Sequence, residues 1–106
     1  MTTYEETIEE KIQDAGLTAA RVTPDIVDKT ILTAQYHQFP GTTVTVCCLT
    51  LQNGFTVIGE SACASPENFN EELGKEIAYN NARQKIWALE GYVLRDRIHR
   101  GELTSV

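Results

Sequence analysis

The chain has 106 residues and a formal net charge of −6, with 42% hydrophobic and 23% charged residues. This length predicts one domain, 1–106, whose modest core would gain from oligomerisation. The acidic balance argues against long nucleic acids as partners, because these require a basic surface. The polar N-terminus and the lack of a long apolar run argue against a signal peptide and a membrane span, so we expect a cytoplasmic protein.

Two short helices are predicted in the N-terminal part. In residues 3–15, apolar side chains recur every four residues opposite a row of glutamates, which is typical of an amphipathic helix. Because residues 1–16 are so acidic, we expect this helix to pack loosely. A second helix is predicted over about 24–33, since Thr23 is a good N-cap and Pro24 suits the first helical position.

The middle of the chain predicts an antiparallel β-hairpin over about 42–63. Its two strands, about 42–51 and 55–63, are rich in β-branched residues. Residues 34–39, which precede a Pro-Gly turn, fit either an extended segment or a first strand.

The turn between these strands is expected to fix their register. Asn53-Gly54 favours a two-residue type I′ turn, which would place Leu49 opposite Ile58 on one face and Val57 on the other. Both faces of the hairpin are apolar, and such a ribbon is not stable alone. We therefore expect one face to pack on a long helix and the other on a strand, a short helix or another subunit.

The longest pattern predicts a C-terminal helix over about 71–99, with Asn70 as its N-cap. Gly91 interrupts the pattern and predicts a kink or a close contact. The predicted fold is α+β, with short N-terminal helices and a hairpin packed on the long helix. The apolar stripe of that helix is small at first and then bulky: Gly74, Ala78, Ala82, Ile86, Leu89 and Val93.

Signs of catalysis or metal binding are few. Cys47 and Cys48 are neighbours in a predicted strand and cannot easily bridge, so the three cysteines are interpreted as reduced thiols. His37 and His99 form no ligand pair by their spacing. Gly-rich phosphate loops, nucleophile elbows and zinc-protease motifs are absent. We expect no enzyme, no metal and no cofactor.

The remaining distinctive side chains suit ligand binding. Arginine binds phosphates, aromatic rings stack on bases, and asparagine matches an adenine edge. Arg21 stands in a short link between helices, and Asn80 and Asn81 interrupt the long helix. Asn81 falls towards the buried side, where it bonds either its own fold or a ligand or partner. Phe69 precedes the N-cap, where it either staples onto Leu73 or forms a wall for a base.

Four segments carry a family resemblance: R-V-T-P, T-V-x-V-C-x-L-T-L-x-N-G-F, G-E-S-A-C-x-x-P-E-N-F and I-A-x-x-N-A-x-x-K-I-W-x-L-E-G-Y-x-L. Over about 21–95 the chain resembles the small bacteriophage protein family named after gene products of phages N4 and Sf6. This resemblance implies an origin in a phage or prophage and names no activity.

The plan of the chain also resembles the first type of Thoeris anti-defence protein. That resemblance implies an oligomer in the host bacterial cytoplasm that sequesters a cyclic ADP-ribose-type or cyclic oligonucleotide immune signal without degrading it. It implies that Arg21 holds a phosphate, Phe69 flanks the base, and Asn81 or Asn80 contacts base or ribose. A second phosphate contact would come from the end of the long helix, from Arg95 or Arg97.

A second interpretation of the same chain needs no small molecule. The protein would be a phage accessory module that docks on a host protein through its long helix or through an apolar hairpin face. A monomer in solution would favour this interpretation, because the implied nucleotide pocket lies between subunits.

Overall fold

The computed structural model describes residues 3–17 and 19–103. The predicted α+β fold is confirmed, because a long C-terminal helix packs on a three-stranded antiparallel sheet. Among the described residues no helix has both the length and the apolar character that a membrane crossing requires. The elements in chain order are α1 (Tyr4–Asp14), α2 (Pro24–Thr30), β1 (Ile31–Gln38), β2 (Thr45–Leu51), β3 (Thr56–Ser61), a 3₁₀ turn (Pro66–Asn68) and α3 (Glu71–His99).

Each of the three helices begins at a side-chain cap, and two of these caps, Thr23 and Asn70, were predicted. Thr3 and Glu6 form a capping box at α1, in which each side chain bonds the other residue's backbone N–H. The Thr23 hydroxyl accepts from Ile26 N at the start of α2. Asn70 Oδ1 accepts from Leu73 N at 3.0 Å, so the predicted N-cap of α3 is confirmed.

The second helix is shorter than the predicted 24–33. It ends at Thr30, because Ile31 is already extended and pairs with Leu51 of β2. Gln52 N donates to Thr30 O at 2.9 Å, so the hairpin satisfies a carbonyl at the end of the helix. The apolar, β-branched segment that follows therefore continues as a strand rather than as one more helical turn.

The sheet has the order β1-β2-β3, with every neighbouring pair antiparallel. For residues 34–39 the sequence allows either an extended segment or a first strand. The strand is confirmed, since β1 covers Ile31–Gln38. The predicted hairpin of β2 and β3 is also confirmed. β2 is the central strand and its side chains alternate between buried and half-buried positions.

The predicted two-residue hairpin turn is wrong. Leu51 N donates to Phe55 O at 2.8 Å, so the loop has three residues, from Gln52 to Gly54. Gly54 has a φ of 90°, whereas Asn53 does not have the positive φ that a type I′ turn requires. The Asn53 side chain instead accepts from Phe55 N at 3.0 Å, which stabilises the longer loop.

The longer loop shifts the register by one residue. Leu49 lies opposite Val57, and Cys48 lies opposite Ile58. Val57 is therefore buried on the helix side with Leu49, while Ile58 is exposed on the other side of the sheet. The predicted facial positions of Val57 and Ile58 are exchanged, because a shift of one residue reverses every side chain.

The core lies between the inner face of the sheet and the first half of α3. Val22, Ile31, Tyr79, Trp87 and Leu89 pack at its margin. The described residues span 52 × 33 × 18 Å, so the molecule is a slab two layers thick. The fully enclosed apolar side chains are Val27, Cys47, Leu49, Leu51, Val57, Ala78, Ala82 and Ile86.

Gly91 does not make the close contact that the pattern allowed. α3 continues through this position, and a Cβ built there would meet nothing within 4 Å among the described residues. The outer face of the sheet is likewise open, and no described element packs across Ile58, which is 44% exposed.

Candidate functional site

A cleft of about 380 Å³ opens where the end of β3 meets the first turns of α3. We call it the β3–α3 cleft. Ser61 Oγ donates to Gly74 O at 2.8 Å and ties the strand to the helix at its floor. The Asn70 cap fixes the start of α3 on its rim. The backbone carbonyl of Glu60 faces the cleft, and the side chains that give it its chemistry are those of Cys63, Phe69, Leu73, Ile77 and Asn81.

Asn81 lies at this cleft, where it is exposed, so its predicted place towards the buried side of the helix is wrong. It bonds its own fold. Its Nδ2 donates to Glu60 O at 2.8 Å, which fixes the plane of the amide against β3. Among residues 3–17 and 19–103, no hydrogen bond to Asn81 Oδ1 is formed. An acceptor and a second amide proton therefore remain for a ligand. Asn80 lies beside α1, in a different groove.

Phe69 lies in the same cleft, half-buried, directly after the 3₁₀ turn. Its N–H donates to Pro66 O at 3.2 Å, so the turn sets the direction in which the chain enters α3. Leu73 and Ile77 line the cleft as well, although about half of each side chain is exposed. Both interpretations of Phe69, a staple on Leu73 and a wall for a base, fit this position.

Arg21 lies away from this cleft and is bound to the N-terminal helix. Its Nη1 and Nη2 donate to the two carboxylate oxygens of Glu9 at 3.1 and 2.5 Å, and its Nε donates to Leu17 O. Bidentate pairing of this kind is among the stronger ion pairs. The pKa of Glu9 is lowered, first by the hydrogen bond from Arg21. Arg21 therefore has no free pair of guanidinium N–H groups for a phosphate while α1 is in place.

Arg95 and Arg97 are exposed near the end of α3. Arg97 Nε is 3.9 Å from Glu102 Oε1, a distance too long for a strong pair. Fourteen residues of helix, or about 21 Å at 1.5 Å per residue, separate Arg95 from Asn81. One copy of the chain therefore brings Phe69 and Asn81 together but does not add the three arginines to them.

Arg83 is one of the arginines that suit ligand binding by residue type but was assigned no role, and it is the most enclosed charged side chain described. Its Nε donates to Asp28 Oδ1 at 2.7 Å, and its Nη1 donates to Glu5 Oε2 at 2.6 Å. Both pairs raise the pKa of Arg83, and the bond from Arg83 is the main cause that lowers the pKa of Glu5. The sequence signal for burial of Arg83 is its position one turn before Trp87, on the flank of the apolar stripe of α3.

The cysteines are free thiols. Burial raises the pKa of Cys47, which lies in the core, while Cys48 and Cys63 are half-buried. Cys63 Sγ donates to Ser65 O at 3.3 Å, inside the segment that leads to the 3₁₀ turn. In the part of the chain that the structure describes, no group of three or more metal-ligating side chains is brought together.

Comparison with known protein families identifies the chain as a phage protein. The chain belongs to the phage protein (N4 Gp49/phage Sf6 gene 66) family, which matches residues 22–98. The matched part runs from α2 almost to the end of α3 and includes the whole β3–α3 cleft. No curated protein and no solved structure matches the chain.

Proposed function

We propose that the protein is a phage anti-defence protein that binds a cyclic ADP-ribose-type or cyclic oligonucleotide immune signal and sequesters it without degrading it. The observation that carries the proposal is that Phe69 and Asn81 both line one cleft. These two side chains are twelve residues apart, and they are the pair expected to contact a base. The resemblance to the first Thoeris anti-defence type supplies the class of ligand.

The chemistry of the cleft suits the base and ribose end of such a ligand. Its volume of about 380 Å³ lies at the lower end of the range for ligand pockets, which corresponds to one nucleoside. Phe69 offers a ring for stacking, and the amide of Asn81 offers a donor and an acceptor for a base edge.

The phosphates need a different part of the protein. No lysine or arginine is among the described residues that line the cleft, so a phosphate would find no positive partner there. Arg95 and Arg97 are about 21 Å further along the same helix. A complete site therefore requires a second copy whose arginines reach the phosphates, which makes the protein a homo-oligomer with shared sites.

Sequestration requires only affinity and abundance. A bound signal that stays intact is withdrawn from its effector by mass action, and no catalytic group is needed. The net charge of −6 assists selectivity, because it disfavours long nucleic acids that would otherwise compete for the arginines.

A mixing experiment tests the shared site. Asn81→Ala and the double variant Arg95→Ala/Arg97→Ala are each expected to lose binding of the cyclic nucleotide that wild type retains. Unfolded and refolded together, the two variants form mixed oligomers in which some sites combine an intact Asn81 with intact arginines. We expect these mixtures to recover part of the binding.

Asn80→Ala is the matched control, since Asn80 is the neighbouring amide and lies outside the cleft. It is expected to bind like wild type. If the mixed oligomers stay inactive while each variant is folded, the shared site is wrong. If Asn80→Ala loses binding as fully as Asn81→Ala, the cleft is not the base site.

An apolar groove at the other end of the molecule favours a second function, docking on a host protein. The groove has a volume of about 530 Å³ and lies between α2, the hairpin loop and α3. Tyr92 is 76% exposed there, beside a partly exposed Phe55. Its apolar wall consists of Ile26, Leu51, Phe55, Leu89, Tyr92 and Val93.

A photo-crosslinking amino acid at position 92 tests this second function. Docking in the groove would be supported if the otherwise wild-type chain cross-links to a single host protein and the same chain with Phe55→Asp does not. Cross-links only between copies of the chain would assign the groove to the oligomer instead.

A further inference from the structure

Three side-chain donors of α3 converge on one carboxylate oxygen of α1. The Oε2 atom of Glu5 lies 2.6 Å from Arg83 Nη1, 3.3 Å from Trp87 Nε1 and 3.4 Å from Gln84 Nε2. We call these three side chains the donor cluster. A charged donor with two neutral N–H groups around a single oxygen is the arrangement by which proteins bind oxyanions.

Two of the three donors, Arg83 and Trp87, are positioned without help from α1. Arg83 Nε is held by Asp28 of α2 at 2.7 Å, so the Nη groups keep their direction if Glu5 leaves. Trp87 is half-buried and packs against the core. The cluster would therefore survive the departure of the helix that now occupies it.

The helix that supplies Glu5 is held weakly. None of the residues of α1, all of which the structure describes, is buried. Its polar attachments to the rest of the chain are Glu5 in the donor cluster and, one turn later, Glu9 on Arg21. Between α1 and α3 lies a groove of about 770 Å³, whose apolar lining includes Ile8 and Trp87. α1 forms one wall of this groove, and the opposite wall, which includes Arg83 and Trp87, becomes accessible when α1 leaves.

We propose that Arg83, Gln84 and Trp87 form a binding site for the phosphate or carboxylate group of a small molecule, and that Glu5 occupies this site as an internal competitor. The ligand must displace α1 and would place its body against the wall of the groove that remains, which α2 and α3 supply. This site is on a different side of α3 from the β3–α3 cleft, so it does not depend on the proposed function.

The charge of α1 fits the role of a competitor. The helix carries five carboxylates and one lysine, so most of the net charge of −6 lies on this one element. While α1 is docked, it repels anions from the donor cluster. Its removal both empties the cluster and lowers that repulsion, which couples ligand binding to helix release.

Calorimetric titration of the full chain tests the proposal, with inorganic pyrophosphate and glutarate as separate probes. Glu5→Ala is expected to bind at least one probe roughly tenfold more tightly than wild type, because the competitor is gone. A preference for pyrophosphate would identify a phosphate site, and a preference for glutarate a carboxylate site. Adding Trp87→Phe to Glu5→Ala keeps an aromatic ring but removes the N–H, and should abolish most of the gain.

Glu10→Ala is the matched control, because it removes the same charge from an exposed position of the same helix. It should bind like wild type. Equal affinities for Glu5→Ala and Glu10→Ala, or no binding of either probe to Glu5→Ala, would overturn the proposal. Glu5→Gln, which preserves side-chain size, provides the same comparison if Glu5→Ala does not fold.

Discussion

Gly59 of β3 lies directly against Ala82 of α3. A Cβ built at position 59 would lie 2.8 Å from Cα of Ala82 and closer still to the Ala82 nitrogen and the Ala78 carbonyl oxygen. Sheet and helix therefore meet backbone to backbone at this point. The small residues that open the stripe of α3 allow this approach, and the bulky Ile86 fills the core where the two layers separate.

Gly59→Ala should destabilise the protein severely. The added methyl group has no room, and the atoms it meets are backbone atoms that cannot rotate away. Overpacking of this kind costs about 3 kcal/mol. Chemical denaturation of wild type and variant measures the loss. A free energy of unfolding within 0.5 kcal/mol of wild type, roughly the range of neutral surface changes, would contradict the packing described here.

Gly91→Ala should have the opposite effect. Gly91 is inside α3, and open space surrounds its Cα among the described residues. Replacing an interior helical glycine with alanine raises stability by roughly 0.5–1 kcal/mol, because the unfolded chain loses freedom. Thermal unfolding measures the gain. A clear loss instead would indicate that another copy of the chain packs closely on this position.

Acidification should release α1 before the rest of the fold. The pKa values of Glu5 and Glu9 are lowered, chiefly by hydrogen bonds from Arg83 and Arg21. A lowered pKa in the folded state means that these groups stabilise docking at neutral pH. That contribution is lost as the pH falls through and below the ordinary glutamate range, about pH 4.

Hydrogen exchange in α1 and the fluorescence of Trp87, which Glu5 contacts, report this release. The double variant Glu5→Gln/Glu9→Gln is the control, and its signals should not change over the same range. A wild-type protein whose α1 keeps full protection until the sheet unfolds would show that the two ion pairs do not hold the helix.

The three thiols should react at different rates. Cys47 is fully buried and its pKa is raised by burial, whereas Cys48 and Cys63 are half-buried. Because the thiolate is the reactive form, alkylation of Cys47 should require unfolding. Mass spectrometry of timed samples should show two labels quickly and the third only at the rate of unfolding. Three equal rates would place Cys47 outside the core.

Local patterns in the sequence predicted the elements, and contacts between distant segments decided the rest. The period of α3 and the caps Thr23 and Asn70 are local, and the structure confirms them. The hairpin register depended on the φ of a single residue, Asn53, which composition does not determine. The boundary between α2 and β1 depended on pairing with β2, twenty residues away. This tertiary contact ends the helix, although the local pattern favours its continuation.

The same division applies to the site. Phe69 lies just before α3 and Asn81 lies nearly three turns into it, so local reasoning could place both along the same stretch of helix. Arg21 and Arg83 each gained a carboxylate from α1, and the partner of Arg83 is 78 residues away in the chain. No local pattern specifies such a pair, because the glutamates of α1 are chemically identical. The angle at which α1 packs on the rest of the chain decides which of them reaches an arginine.

The central claim, a shared site for a nucleotide signal, is tested most directly by native mass spectrometry. Purified protein would be measured alone and with cyclic ADP-ribose isomers and cyclic di- and trinucleotides. The account predicts an oligomer that carries one of these ligands in fixed stoichiometry and releases it with its mass unchanged. A folded protein that binds none of them, or that returns a ligand of altered mass, would contradict it.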